Sequence, residues 1–183
     1  NPSGRISPTR AEHVLAGLGG RIELVLDGGP CESGVESTVI DCTGEAAHIL
    51  RPGGVTRDAV AATLAAQELT LAAEMPSTDE NKPASPGQLA SHYAPSAPVR
   101  LNVTAPEPGM ELIGFGETGG AGELGLNLSP KGDLQEAAAN LFDMMHAADA
   151  TGATVIGVAP VPGTGLGEAV NDRLRRAAAP RSL

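Results

Sequence analysis

Four short stretches of this sequence carry residue types that bind phosphate or another polar ligand. At the start, Asn1, Pro2, Ser3 and Gly4 are followed by Ser7, Pro8 and Thr9, just ahead of a helical pattern. A polar loop entering a helix N-terminus offers free backbone N–H groups and the positive end of the dipole, which favours phosphate. An ordinary helix cap is the plainer reading of the same residues. Ser37 and Thr38 open a β-branched run, so their hydroxyls either meet a polar ligand or line a strand edge. Arg51 ends an apolar run just before Pro52, Gly53 and Gly54. Proline presets φ and the glycines let the chain bend, which leaves a guanidinium at the end of a tight turn. Such a group suits phosphate or nucleobase contact; the alternative is a structural ion pair. Gly163, Gly165 and Gly167 lie between a strand pattern and a helix pattern. Their spacing departs from the dinucleotide fingerprint, and no acidic residue follows at ~20 positions, so a plain strand–loop–helix turn is the better reading. The sequence holds no Ser-His-Asp set, no Walker-type loop and no HExxH.

Two sets of elements must position these groups. Thr9, Arg10, Ala11 and Glu12 fit a capping box with Thr9 as N-cap, which predicts a helix over 8–18. Strands are expected at 21–27, 37–42 and 47–50, the last two as a hairpin. A second helix is expected over 55–64 with Thr56 as its cap. Two helices and three strands are too few for a complete α/β domain of the usual ~100–150 residues. The chain also opens without Met. Residues 1–65 are therefore expected to be the later part of a longer α/β domain, with an incomplete sheet and an exposed apolar edge or face. Residues 66–96 read as a linker. Pro76 to Pro83 is polar and Pro-bracketed, and the following stretch, with the chain's one tyrosine, is a connection or a functional flap. Residues 97–183 read as a small Rossmann-like α/β domain, with strands at 99–103, 111–115, 125–128 and 154–159. Helices are expected over 133–148 and 167–178, the first with apolar residues at helical spacing.

Composition narrows the function classes. The net charge is −10 and aromatic residues are 2% of the chain, so neither a phosphate-backbone surface nor a base-stacking platform is expected. Arg173, Arg175 and Arg176 form the one basic cluster, which reads as the solvated last turn of a helix. Cys31 and Cys42 read as free thiols of a reducing compartment. The four histidines sit in no metal-ligand motif, and no metal site is expected. No stretch approaches the ~20 apolar residues of a membrane span. A cytoplasmic protein with no membrane partner is the expectation.

The segments NPSGRISPT, GVESTVID, ILRPGGV, SPGQLASHYAP and GLGEAVNDRLRRAA occur in one order. Together they resemble the long, two-domain form of the threonylcarbamoyl-AMP synthase family, in which a YrdC-like catalytic domain is joined by a linker to a smaller C-terminal domain. The resemblance covers nearly the whole chain, and implies a partial YrdC-like α/β sheet ahead of the linker. It implies a nucleotidyltransferase activity that joins L-threonine, bicarbonate and ATP into threonylcarbamoyl-AMP with release of pyrophosphate. Mg²⁺ would accompany the ATP. Partner proteins would then pass the threonylcarbamoyl group to an adenosine of tRNA. Carried over by position, Asn1, Thr9, Arg51 and Tyr93 would contact ATP, and Ser37 would contact L-threonine. No residue forms a covalent intermediate, so no catalytic nucleophile is assigned. The family's motif for gripping the triphosphate is not in these residues, so the chain alone is expected to be inactive. Gln88, Leu89 and Ala90 stand where the family's linker often carries basic residues. The segment 85–95 is expected to fold back and bring Tyr93 toward Arg51, and Tyr93→Ala in the full-length enzyme to weaken ATP binding with little loss of stability. The alternative functions are a regulatory or nucleotide-binding α/β module and a dinucleotide-binding protein.

Overall fold

The computed structural model describes residues 1–73, 85–87 and 89–180. The expected loop from Pro76 to Pro83, and Gln88, lie outside the described residues.

The first part of the chain has little regular structure. Helix α1 spans Ala11–Leu18, strands β1 (Val39–Asp41) and β2 (His48–Arg51) form an antiparallel hairpin, and α2 spans Arg57–Ala65. The hairpin register pairs Ile40 with Ile49 and Asp41 with His48. Thr56 caps α2 through its side chain, which accepts from the Ala59 N–H. Two expectations fail here. Thr9 is not the cap of α1: the N-cap is Arg10, with no side-chain cap bond. The Thr9 hydroxyl faces His13 Nδ1 at 3.4 Å instead. Residues 21–27 form no strand. A strand needs a neighbour to satisfy its N–H and C=O groups, and no described strand pairs with this stretch. Its apolar residues stand in solvent, with Leu24 75% and Leu26 87% exposed, as the expectation of an exposed apolar face requires.

The second part is a regular α/β unit. Strands β3 (Val99–Leu101), β4 (Met110–Ile113) and β5 (Val155–Val158) form a parallel sheet in the order β3-β5-β4. Helix α3 (Leu134–Ala150) packs against β4 and α4, and α4 (Gly167–Ala178) packs against β3. Asp133 starts α3 by accepting from the N–H groups of Gln135 and Glu136. The helix then buries Ala137, Ala138, Leu141, Phe142, Met145 and Ala148, a 3-and-4 spacing that makes one apolar stripe. Central β5 is buried from Ile156 onward. Its Gly157 is required there, because a Cβ would lie 2.6 Å from Met110 Sδ. The stretch 125–128 is not a strand; a single bridge joins Asn127 to Gly114. Gly125 at φ +59° turns the chain away from a longer ladder. The whole is mixed α/β.

One core cluster runs between the two parts. Ile6, Val35 and Tyr93 pack with residues of α3, α4 and the parallel sheet. No helix is long and apolar enough to cross a membrane among the described residues.

Candidate functional site

A cavity of about 770 Å³ opens where the first part of the chain meets the segment after residue 85. Asn1 and Thr9 line it from the opening loop, Glu36 and Arg51 from the hairpin region, and Gly87 and Tyr93 from the returning segment. The structure thus brings Asn1, Thr9, Arg51 and Tyr93 to one cavity. Ser37 is not on its lining and sits behind Arg51.

Arg51 is 8% exposed and held in a collar of carbonyls. Its Nε and Nη2 donate to the Ser37 carbonyl at 3.2 and 3.0 Å, and Nη1 donates to the Pro86 carbonyl at 3.0 Å. Nη2 also reaches Ser37 Oγ at 3.3 Å. No carboxylate pairs with it among the described residues. The ion-pair reading of Arg51 therefore fails. A desolvated guanidinium without a counter-charge is costly unless a ligand supplies one, and at a cavity wall it favours an anion. Gly53 makes this turn possible, because a Cβ there would lie 2.3 Å from the Glu36 carbonyl.

The opening loop is fixed from two sides. The Asn1 amide donates to the carbonyls of Arg5 and Ile6 at 3.0 and 3.1 Å. Arg10 makes a two-toothed pair with Asp143 of α3 at 2.6 and 3.0 Å. Beside it, His13 and His146 stack with ring centroids 3.9 Å apart, and burial lowers the pKa of both. His146 Nε2 lies 3.1 Å from the Ser7 carbonyl.

The described residues of the 85–95 segment fold back over the cavity, with Pro86, Gly87, His92 and Tyr93 on its lining. Ala94 N–H donates to the Gly4 carbonyl at 2.9 Å, and Arg5 and Ala94 form a parallel bridge. Tyr93 has φ +60°, a conformation that a bulky residue adopts only when its surroundings impose it. Gly87 at φ +81° approaches the phenol so closely that a Cβ would stand 2.2 Å from its oxygen. Tyr93 is 1% exposed and belongs to the main core, so the expectation that Tyr93→Ala leaves stability almost unchanged is corrected. Burial raises the pKa of its phenol and lowers that of the neighbouring His92 imidazole.

Two residues at the site, Glu36 and His92, were not singled out from sequence, and a third, Arg173, was read only as part of a solvated basic cluster. Glu36 accepts from the Ser7 hydroxyl at 2.6 Å and from Arg173 Nε at 2.8 Å. Burial pushes its carboxyl up, but the Ser7 hydroxyl and the Arg173 cation outweigh it and hold the group below its ordinary value. His92 also lines the cavity, edge-on to Tyr93 at 4.2 Å. Both stand beside residues that were singled out, Ser37 and Tyr93, and that adjacency was the available signal. Arg173 is the third: it is 0% exposed, not in a solvated last turn. Nearby Glu36 and Asp172 override the surface expectation. Among the described residues no group of three potential metal ligands stands together.

Of the glycines at 163–167, packing requires Gly167, while Gly165 sits at φ +55°. A Cβ on Gly167 would lie 1.9 Å from the Pro162 carbonyl. Asn171 closes the loop by donating to the carbonyls of Val161, Pro162 and Gly167.

Comparison with known proteins identifies the family. Residues 55–179 match the family model described as threonylcarbamoyl-AMP synthase, C-terminal domain, and residues 1–53 match one described as telomere recombination. The chain is 34% identical to a threonylcarbamoyl-AMP synthase of Bacillus subtilis, over 100% of this chain and 56% of that protein. It is 38% identical to one of Pyrococcus abyssi, over 100% of this chain and 57% of that protein. The crystal structure of P. abyssi Sua5 complexed with L-threonine superimposes with a TM-score of 0.79 at 33% identity, covering 97% of this chain and 56% of that one. A P. abyssi Sua5 variant with an adjacent His and Tyr both changed to Ala matches with a TM-score of 0.78 at 31% identity, over 97% of this chain and 55% of that one. The chain thus spans little more than half the length of these relatives.

Proposed function

The chain belongs to the threonylcarbamoyl-AMP synthase family, and from that premise we propose that its cavity is the part of a synthase site that receives ATP and L-threonine. The observation that carries this reading is Arg51, a guanidinium without a carboxylate partner among the described residues, set in the wall of a cavity that the 85–95 segment covers. Asn1 and Thr9 on the opening loop, with Tyr93 opposite, would frame the nucleotide. Ser37, behind Arg51 and off the cavity lining here, would have to turn its hydroxyl away from the guanidinium to meet L-threonine, the ligand of the P. abyssi structure.

In the proposed reaction the threonine amine and bicarbonate give a carbamate with loss of water. A carbamate oxygen attacks the α-phosphorus of ATP. The bond to the bridging oxygen breaks, and its electron pair leaves with pyrophosphate. No enzyme nucleophile is needed, so the protein contributes positioning and charge. Arg51 would balance charge growing at the α-phosphate. The returned segment would exclude water from a product that water destroys. Both oxygens of Glu36 are already engaged, so Mg²⁺ would arrive on the phosphates with the nucleotide, as is usual for that ion. The product would pass to separate threonylcarbamoyl-transferring proteins in the cytoplasm. With a charge of −10 the chain is not expected to hold nucleic acid tightly itself.

The test is a hybrid in which these residues replace the matching part of the B. subtilis relative. It should make threonylcarbamoyl-AMP only when threonine, bicarbonate and ATP are all present. Ser37→Ala should raise the KM for threonine by about fivefold, the worth of one hydrogen bond, and leave the KM for ATP nearly unchanged. A folded hybrid that makes no product removes the proposal.

A further inference from the structure

We infer that Arg173 is a positioning residue, which locks Tyr93 over the cavity by gathering three distant parts of the chain onto one buried guanidinium. Its Nε donates to Glu36 at 2.8 Å, and its Nη1 donates to the Pro52 carbonyl at 2.7 Å. Its guanidinium carbon lies 5.3 Å from the centroid of the Tyr93 ring. Glu36 is a wall of the cavity, Pro52 fixes the turn that carries Arg51, and Tyr93 is the cover. One side chain of α4 therefore touches all three.

The other end of the network holds the covering segment as well. Asp172 braces Arg173 Nη1 at 2.8 Å and accepts from Arg176 Nε at 3.1 Å. Arg176 Nη1 donates to the Leu89 carbonyl at 2.9 Å, and the Arg176 carbonyl accepts from the His92 N–H at 3.2 Å. Two cations and two carboxylates balance within the cluster. A network of this kind adds little net stability over an apolar one, but it specifies a single arrangement. The fork of arginine is needed, because Glu36 and Pro52 are engaged by different nitrogens of one planar group. Arg173 Nη2 finds no acceptor among the described residues. The guanidinium is thus placed by its other bonds, at the cost of one unsatisfied donor.

That Tyr93 covers a nucleotide rests on the reading proposed above; that Arg173 holds Tyr93 down does not. Chymotrypsin separates the two on the 183-residue chain without any nucleotide. Tyr93 is the sole tyrosine, and Phe142, fully buried in α3, reports opening of the whole fold. Arg173→Lys keeps the charge and loses the fork. It should speed cleavage after Tyr93 on the order of tenfold, through local opening, with cleavage after Phe142 unchanged. Arg176→Gln, which cuts the hold on Leu89 and the pair with Asp172 but leaves Arg173 in place, should act in the same direction and covers the case in which Arg173→Lys does not fold. Cleavage after Tyr93 and Phe142 rising together, or neither rising, would overturn the inference.

Discussion

Tyr93→Ala should unfold the protein more easily as well as uncover the cavity. The ring is 1% exposed and packs 5.5 Å from Phe142 in the cluster that joins the two parts of the chain. A buried aromatic side chain removes roughly 150 Å² or more from water, which at ~25 cal/mol per Å² is worth about 4 kcal/mol. Measured aromatic-to-alanine changes in cores cost about 3–5 kcal/mol, in agreement. For a chain of this size each kcal/mol moves Tm by about 2–4 °C, so the expected fall is roughly 6–20 °C. Tyr93→Phe keeps the ring and should stay within about 1 kcal/mol of the parent. Thermal melts of both variants followed by far-ultraviolet circular dichroism decide the matter. A Tyr93→Ala protein melting within about 2 °C of the parent would refute the assignment of this residue to the core.

Three further outcomes follow from the same contacts. Gly87→Ala places a Cβ 2.2 Å from the Tyr93 oxygen at φ +81°; it should displace the ring and change the emission of the chain's single tyrosine, and an unchanged spectrum would oppose the close packing. Burial holds His13 and His146 below the ordinary imidazole value of 6.5, so their contribution to stability is complete above that value and is lost as pH falls below it. They face each other, Arg10 at the N-cap and Glu12 in the first turn of α1, and Asp143 and Asp149 on α3; the carboxylates Asp143 and Glu36, also lowered, add their loss at more acid pH. The double variant His13→Gln/His146→Gln should flatten urea stability between about pH 7 and about pH 5, and equal slopes would contradict the reading. The 183-residue chain alone should release no pyrophosphate from ATP, because Arg51 is the one Arg or Lys side chain on the cavity lining among the described residues; threonine-dependent release would show that this lining suffices.

How much was legible depends on where each instruction lies. The hairpin, α2, α3 and α4 are written locally: Thr56 and Asp133 are caps, and the stripe from Ala137 to Ala148 needs only its own spacing. Arg51, Tyr93, Asn1 and Thr9 were placed by motif order, and they do line one cavity. Residues 21–27 misled because alternation creates a strand only when another strand accepts it. Arg173 misled because its sequence neighbours suggest a solvated helix end, whereas its burial is decided by Glu36 and Pro52 across the fold. Ser37 was legible as a hydroxyl opening a strand, but its place behind the Arg51 guanidinium depends on the turn at Gly53.

The central claim is that nucleotide binds at the cavity beside Arg51. A photoreactive ATP analogue added to the B. subtilis hybrid, with the labelled peptides identified by mass spectrometry, tests it most directly. Labels on residues 1–9, on the peptide around Arg51 and on the peptide carrying Tyr93, all lost when excess ATP competes, are the predicted result. Labels confined to the loop at 163–167 would contradict it.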